Sequence, residues 1–134
     1  MIVVDTNIIC YRWIASPQSA AVEKAWKKDP DWIAPILWRS EFRNVVAGAL
    51  RRKLIAADAA LEIIAQAEAE FAGREFFVPA PAVIRLVLKS PCSAYDCEFA
   101  ALAEELSVFL LTADRQLLRA FPKLAISLEN FVKR

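Results

Sequence analysis

The sequence predicts an α/β protein built on a central parallel sheet of about five strands, with helices on both sides. Five short apolar runs alternate with helical patterns along the chain, which is the order a parallel sheet with crossover helices requires. The runs are mostly apolar, as in strands buried on both faces. A hydrophobic fraction of 57% suits such a doubly covered sheet, with some apolar surface left for an interface with a partner.

The elements follow in order. Ile2-Val3-Val4 is the first strand, ended by Asp5, and a helix over about Asn7–Ile14 follows. Pro17 opens a second helix through Val22, Ala25 and Trp26 that ends near Asp29-Pro30. Trp32-Ile33-Ala34 is the second strand, cut off by Pro35, which also suits the first turn of the next helix. That helix spans Ile36–Arg52, a second long one covers about Asp58–Phe71, and Gly73 is placed to terminate it. Glu75–Val78 is the third strand, flanked by Pro79 and Pro81. Ala82–Lys89 is a short helix broken by Ser90-Pro91, and Ser93–Leu106 is a longer one. Val108–Thr112 is the strongest strand, followed by a short helix over Arg115–Ala120, a final strand around Ala125–Ser127 and a C-terminal turn.

A chain of 134 residues is expected to form one domain over 1–134, with no internal repeat and no linker. No apolar run approaches the roughly 18–20 residues that span a bilayer, so no membrane role is expected. No secretory signal is visible, which makes the cytoplasm the default location. A formal charge of +1 provides no argument for nucleic-acid binding. Cys10, Cys92 and Cys97 lack a CxxC and have no histidine to complete a zinc site, so they read as buried reduced thiols.

Four acids carry the chemistry. Asp5 and Asp114 end strands, Asp96 opens an apolar helix, and Glu41 falls inside one. Carboxyl ends of parallel strands converge on one crevice. Each acid also has a plain structural role. Asp5 and Asp114 are placed to cap the helices that follow them, and Ser93-Ala94-Tyr95-Asp96 is close to a capping box. Glu41 resists that reading. It projects beside Leu37, Trp38 and Val45, on or bordering the buried stripe, with Arg39 and Arg43 on the opposite side. An isolated carboxylate there costs several kcal/mol unless a hydrogen bond, an arginine or a metal compensates it.

Gathered in one crevice, the four acids would repel unless protonated or neutralised by a divalent cation. With no histidine in the chain, an all-oxygen site points to Mg²⁺ or Mn²⁺. Such a cation activates water and stabilises charge on phosphoryl oxygens, which suits phosphate chemistry. Other chemistries lack their parts. There is no GxGxxG, P-loop or GxSxG motif, only two glycines, and no histidine for a serine or cysteine dyad. The first strand ends in Asp5-Thr6-Asn7, not the D-x-D of an aspartyl-phosphate mechanism.

Val3-Val4-Asp5-Thr6-Asn7-Ile8-Ile9, Ser40-Glu41, Ser93-Ala94-Tyr95-Asp96 and Leu110-Leu111-Thr112-Ala113-Asp114-Arg115, in this order, resemble the PIN domain. They look most like the small VapC-type toxins of bacterial toxin–antitoxin pairs. The resemblance covers essentially the whole chain. It implies a Rossmann-like three-layer α/β/α sandwich, Mg²⁺- or Mn²⁺-dependent ribonuclease activity on an RNA substrate, a homodimer, and inhibition by a small cognate antitoxin. Carried over by position, it makes Asp5, Glu41, Asp96 and Asp114 the catalytic and metal-binding acids, with Thr112 and Asn7 supporting them by hydrogen bonds. Only one acid follows Thr112 in its loop, which thinly supports a second metal.

Arg12, Arg39, Arg43, Arg51, Arg52, Lys53 and Arg115 are candidates for phosphate contacts, Arg115 foremost because it adjoins Asp114. A solvated helix face is the plain account of the others. Trp13, Trp26 and Trp38, with part of the two long helices, are candidates for a dimer or antitoxin groove. Two further readings stand beside the toxin: a PIN-type nuclease in RNA processing or on DNA without an antitoxin, and a catalytically silent scaffold that binds RNA or protein.

Overall fold

In the computed structural model, which describes all 134 residues, the chain is a three-layer α/β/α sandwich. Its elements are β1 (Ile2–Val4), α1 (Thr6–Trp13), α2 (Ser19–Lys28), β2 (Trp32–Pro35), α3 (Trp38–Arg51), α4 (Ala57–Glu70), β3 (Glu75–Phe76), α5 (Ala80–Val87), α6 (Ala94–Leu106), β4 (Leu110–Leu111), α7 (Arg115–Ala120), β5 (Ala125–Ile126) and α8 (Leu128–Lys133). The five strands are all parallel, in the order β3-β2-β1-β4-β5. Val3 pairs with Ile33 on one side and with Leu110 on the other, and Val4 pairs with Leu111.

That order locates the site. From β1 the chain walks outward through β2 and β3, then returns to build β4 and β5 on the other side. The direction of winding therefore switches between β1 and β4, and a crevice opens at their carboxyl ends, where Asp5 and Thr112 lie.

Helix α6 packs across β1, β2 and β4, with α5 seated on it. Its sheet-facing residues Phe99, Ala100 and Ala103 are fully buried, and the two alanines let the helix lie close to the strands. In the other set of helices α1 contacts α2 and α3, α2 contacts α8, and α3 contacts α4. All three cysteines are buried and unpaired. No helix is long and apolar enough to cross a membrane.

Several boundaries depart from the sequence expectation. Strand β4, expected as the strongest strand over Val108–Thr112, is only Leu110–Leu111, α2 begins at Ser19 and not at Pro17, and α5 is Ala80–Val87 and not Ala82–Lys89. Pro35 stays in β2, opposite Phe76, and the Ile36 N–H donates to the Phe76 carbonyl at 2.9 Å, so α3 begins only at Trp38. Strand β3 stops at Phe76, two residues short of Val78. The expected C-terminal turn is the helix α8. Its Ser127 hydroxyl accepts from the Asn130 N–H at 3.2 Å, and buried Leu128 and Phe131, three residues apart, anchor one face. Gly73, at φ 75°, follows α4 in the left-handed conformation expected of a helix terminator.

Candidate active site

A cleft of about 460 Å³ opens at the switch point. Helix α1 and its cap supply Asp5, Thr6, Asn7 and Cys10; Leu37 and α3 supply Ser40, Glu41, Asn44 and Val45; α6 supplies Tyr95 and Asp96; and the start of α7 supplies Asp114. All four acids singled out in the sequence line this one space, and no lysine or arginine does.

Asp5 is held at both oxygens. Oδ1 accepts from the Thr6 N–H at 2.8 Å, and Oδ2 accepts from the Thr112 hydroxyl at 2.7 Å. The Asp114 N–H donates to that same Thr112 oxygen at 3.0 Å, so the hydroxyl proton is left to point at Asp5. Thr112, fully buried, thus ties the ends of β1 and β4 together.

Asp114 is the cap of α7: its Oδ1 accepts from the N–H groups of Gln116 and Leu117 at 2.7 and 3.2 Å. Its second oxygen has no hydrogen-bond partner, so capping and a place in the cleft coexist in one carboxylate. In α6 the Asp96 N–H donates to Ser93 Oγ at 3.1 Å, the forward half of the expected capping box. The reverse bond, from the Ser93 N–H to the Asp96 carboxylate, is not made.

Glu41 borders the buried stripe without joining it. The buried face of α3 is Trp38, Phe42, Val46 and Ala49, while Glu41 is half-buried on the neighbouring face that looks into the cleft. Its compensation comes from Thr6, whose hydroxyl donates to Glu41 Oε1 at 2.8 Å. Thr6, buried itself, therefore braces two acids at once, and the sequence reading did not single it out. Its position directly after Asp5 was the available signal.

The electrostatics follow from crowding like charges in a partly dry cleft. Burial, only partly offset by the Thr112 and Thr6 hydrogen bonds and reinforced by Asp96 and Glu41, raises the Asp5 carboxyl from 3.8 to about 6. Burial first, then the charge of Asp96, raises Glu41; burial first, then Asp114, raises Asp96. Burial, with the charges of Asp5 and Glu41, pushes the Cys10 thiol up to about 12, which makes it a neutral wall and not a nucleophile.

These residues fit a hard divalent cation. The donor set is all oxygen, burial and neighbouring carboxylates raise Asp5, Glu41 and Asp96, and the Asn7 Oδ1 is buried with no hydrogen-bond partner. No three of the carboxylates or thiols come close enough together to form a ligand cage as the side chains stand.

The other nominated residues divide. Arg115 is exposed at the first turn of α7, pairs with no acid, and does not line the cleft. Arg12, Arg39 and Arg43 are not free for phosphate. Arg12 is held by Glu70 and Glu23 and stacks 3.8 Å above the Trp26 ring; Arg39 is held by Glu75 and Glu68, and Arg43 by Glu68. Trp38 cannot line a groove: it is fully buried, and its Nε1 donates to Glu75 at 2.7 Å. Trp26 packs edge-on against Trp32, and only Trp13 reaches an apolar groove, one of about 410 Å³ formed with Ile14, Val45, Val46, Ala49, Leu54, Ile55 and Ile63.

An open parallel sheet with a cleft at its switch point defines a class of α/β proteins that bind their ligands at the carboxyl ends of the strands. The model of the PIN domain matches residues 2–123, and the chain belongs to that family, whose members are generally nucleases. Among solved structures it is similar to PAE2754 from Pyrobaculum aerophilum (23% identity, 99% of this chain and 87% of that one, TM-score 0.78). It is also similar to FitAcB from Neisseria gonorrhoeae (23% identity, 96% and 99%, TM-score 0.72) and to FitAB bound to an IR36 DNA fragment (22% identity, 96% and 95%, TM-score 0.70). Comparison with curated protein sequences finds no match.

Proposed function

We propose that the chain is a Mg²⁺- or Mn²⁺-dependent endoribonuclease and the VapC-like toxin of a toxin–antitoxin pair. The observation that carries this reading is the cleft, which four carboxylates line without a single basic side chain. Such a site repels its own charge and favours a divalent cation over any other occupant. Asp5, Glu41, Asp96 and Asp114 would hold the ion. When bound, it supplies the positive charge that receives a phosphodiester and the acidity that activates water.

The chain's own residues do the rest. Thr112 aims Asp5 and favours its ionised form against the effect of burial, Thr6 does the same for Glu41, and the buried Asn7 Oδ1 is an unpaired acceptor in the wall of the cleft. Neutral Cys10 and the flanking Leu37 and Val45 limit the water around them.

The partners follow from the same reading. A small antitoxin would seat a segment in the apolar groove beside Trp13, which shares Val45 with the cleft and so leads a bound segment toward the acids. A homodimer would cover the exposed apolar side chains on and flanking α5, Phe77 before it, Ile84 on it and Leu88 at its end. One of the similar structures is a complex bound to DNA, which supports a second reading of a PIN-type nuclease acting on DNA.

The test is cleavage of a mixed RNA pool and a matched DNA pool by the purified chain with Mg²⁺ or Mn²⁺. EDTA and Asp5→Asn serve as controls. RNA cleavage lost in both controls supports the reading, and cleavage of DNA alone moves it to the second one. Folded, antitoxin-free protein that cuts neither pool sinks both and leaves a silent scaffold.

A further inference from the structure

The cleft contains no cation of its own, so a substrate backbone must be gripped outside it. Five of the ten arginines pair with no carboxylate: Arg51 and Arg52 at the end of α3, Arg134 after α8, and Arg115 and Arg119 on α7, the helix that starts directly after a cleft acid. Arg12, Arg39, Arg43, Arg74 and Arg85 are each ion-paired to a carboxylate. On α7 and just beyond it, Arg115, Arg119 and Lys123 are exposed and pair with none, and no acid occurs in the chain between Asp114 and Glu129.

Helix stability does not explain this arrangement. Arg115 sits in the first turn, at the positive end of the helix dipole, where a cation is disfavoured; only Arg119 gains from the last turn. The three are spaced four residues apart, so Arg115 and Arg119 share one face of the helix, about 6 Å apart along its axis. The first of them directly follows Asp114, which lines the cleft. Tyr95, 64% exposed, lines the cleft next to Asp96 and offers a ring on which an unpaired base can stack.

We propose that α7 is the track by which a single nucleic-acid strand enters the cleft, with Arg115, Arg119 and Lys123 taking successive backbone phosphates and Tyr95 stacking a base beside the acids. The proposal deepens the nuclease reading and rests on it for its ligand, but it is tested by binding and not by cleavage. The ligand chemistry is the phosphodiester backbone, so ribose and deoxyribose strands are both gripped.

The experiment is fluorescence anisotropy of a short labelled single-stranded RNA, and of the DNA of the same sequence, titrated across a salt series with Ca²⁺ in place of Mg²⁺. Each phosphate contact on a single strand contributes about 0.7 to the slope of log affinity against log salt. Arg119→Ala/Lys123→Ala should therefore weaken binding several-fold and flatten the slope by about 1.4 for both strands. Lys24→Ala/Lys27→Ala on α2 should leave the slope unchanged. Thermal melting of each variant checks the fold. An unchanged slope in the α7 variant overturns the track. So does a loss that appears in Arg51→Ala/Arg52→Ala but not on α7. A chain that binds through α7 and cuts nothing would leave the track standing and sink the nuclease reading alone.

Discussion

Thr112 is the residue on which most of the site's geometry hangs. It is fully buried, accepts from the Asp114 N–H and donates to Asp5 Oδ2, so its hydroxyl satisfies two polar groups that have no water to turn to. Thr112→Val keeps the shape and strands both partners. It should cost roughly 2–4 kcal/mol in a denaturant melt, whereas Thr112→Ser should cost far less. Thr6 makes the matching bond to Glu41, at a half-buried site that water reaches. Thr6→Val should therefore cost only about 1 kcal/mol of stability but lower cleavage by tenfold or more, with Thr6→Ser restoring it. Equal cleavage by Thr6→Val and wild type would remove Thr6 from the site.

At the scale of elements, α6 is the part that brings Asp96 to the other acids. It lies on β1, β2 and β4 through Ala100 and Ala103, both wholly buried, so its distance from the sheet is set by methyl groups. Ala100→Leu overpacks that contact and should destabilise the fold by about 1–3 kcal/mol. Because the helix must move as a body to relieve the clash, Asp96 shifts with it. Cleavage should then fall further than the loss of folded protein accounts for, as measured by activity per folded molecule. Helix α3 works differently. It presents two faces, Trp38, Phe42 and Val46 to the core and Glu41, Asn44 and Val45 to the cleft, so its core residues hold the register of its site residues.

For the molecule as a whole, the acidic cleft is a liability until it is neutralised. The Asp5 carboxyl rises from 3.8 to about 6 on folding, so between those values the folded chain keeps a proton that the unfolded chain has released. Stability of the metal-free chain must therefore fall as pH rises through that window, by up to roughly 3 kcal/mol from Asp5 alone. Glu41 and Asp96 shift in the same direction and add to the loss. Glu75, held down chiefly by its bond from Arg39, contributes the opposite sign, so the comparison is with Asp5→Asn, whose stability should be flatter through the window. Mg²⁺ added near pH 7 should restore the wild type, by about 2.7 kcal/mol at a hundredfold excess over its dissociation constant, and should do much less for Asp5→Asn. A wild-type melting curve indifferent to both pH and Mg²⁺ would mean that the cleft is not a cation site.

The alternation of apolar runs and helices by itself determined the α/β class, the five strands and their order along the chain, because strand and helix patterning are local properties. It also nominated Asp5, Asp96, Asp114 and Glu41, since carboxylates just past strand ends or on a buried-looking helix face are conspicuous without any knowledge of the fold. What it could not determine depended on neighbours distant in the chain. Pro35 remains a strand residue because Phe76 lies beside it, and the C-terminal segment is a helix because its apolar pair finds a surface on α2. Arg12, Arg39 and Arg43 read as free cations until α4 and β3 supply Glu70, Glu68 and Glu75, and Trp38 read as groove until the core closed over it. Only the tertiary structure decided that Thr6 answers Glu41 across 35 positions of sequence and that Thr112 answers Asp5 across 107. Hydrogen bonds and ion pairs act over about 3 Å of space. The chain's local pattern carries no record of which residues will be brought that close.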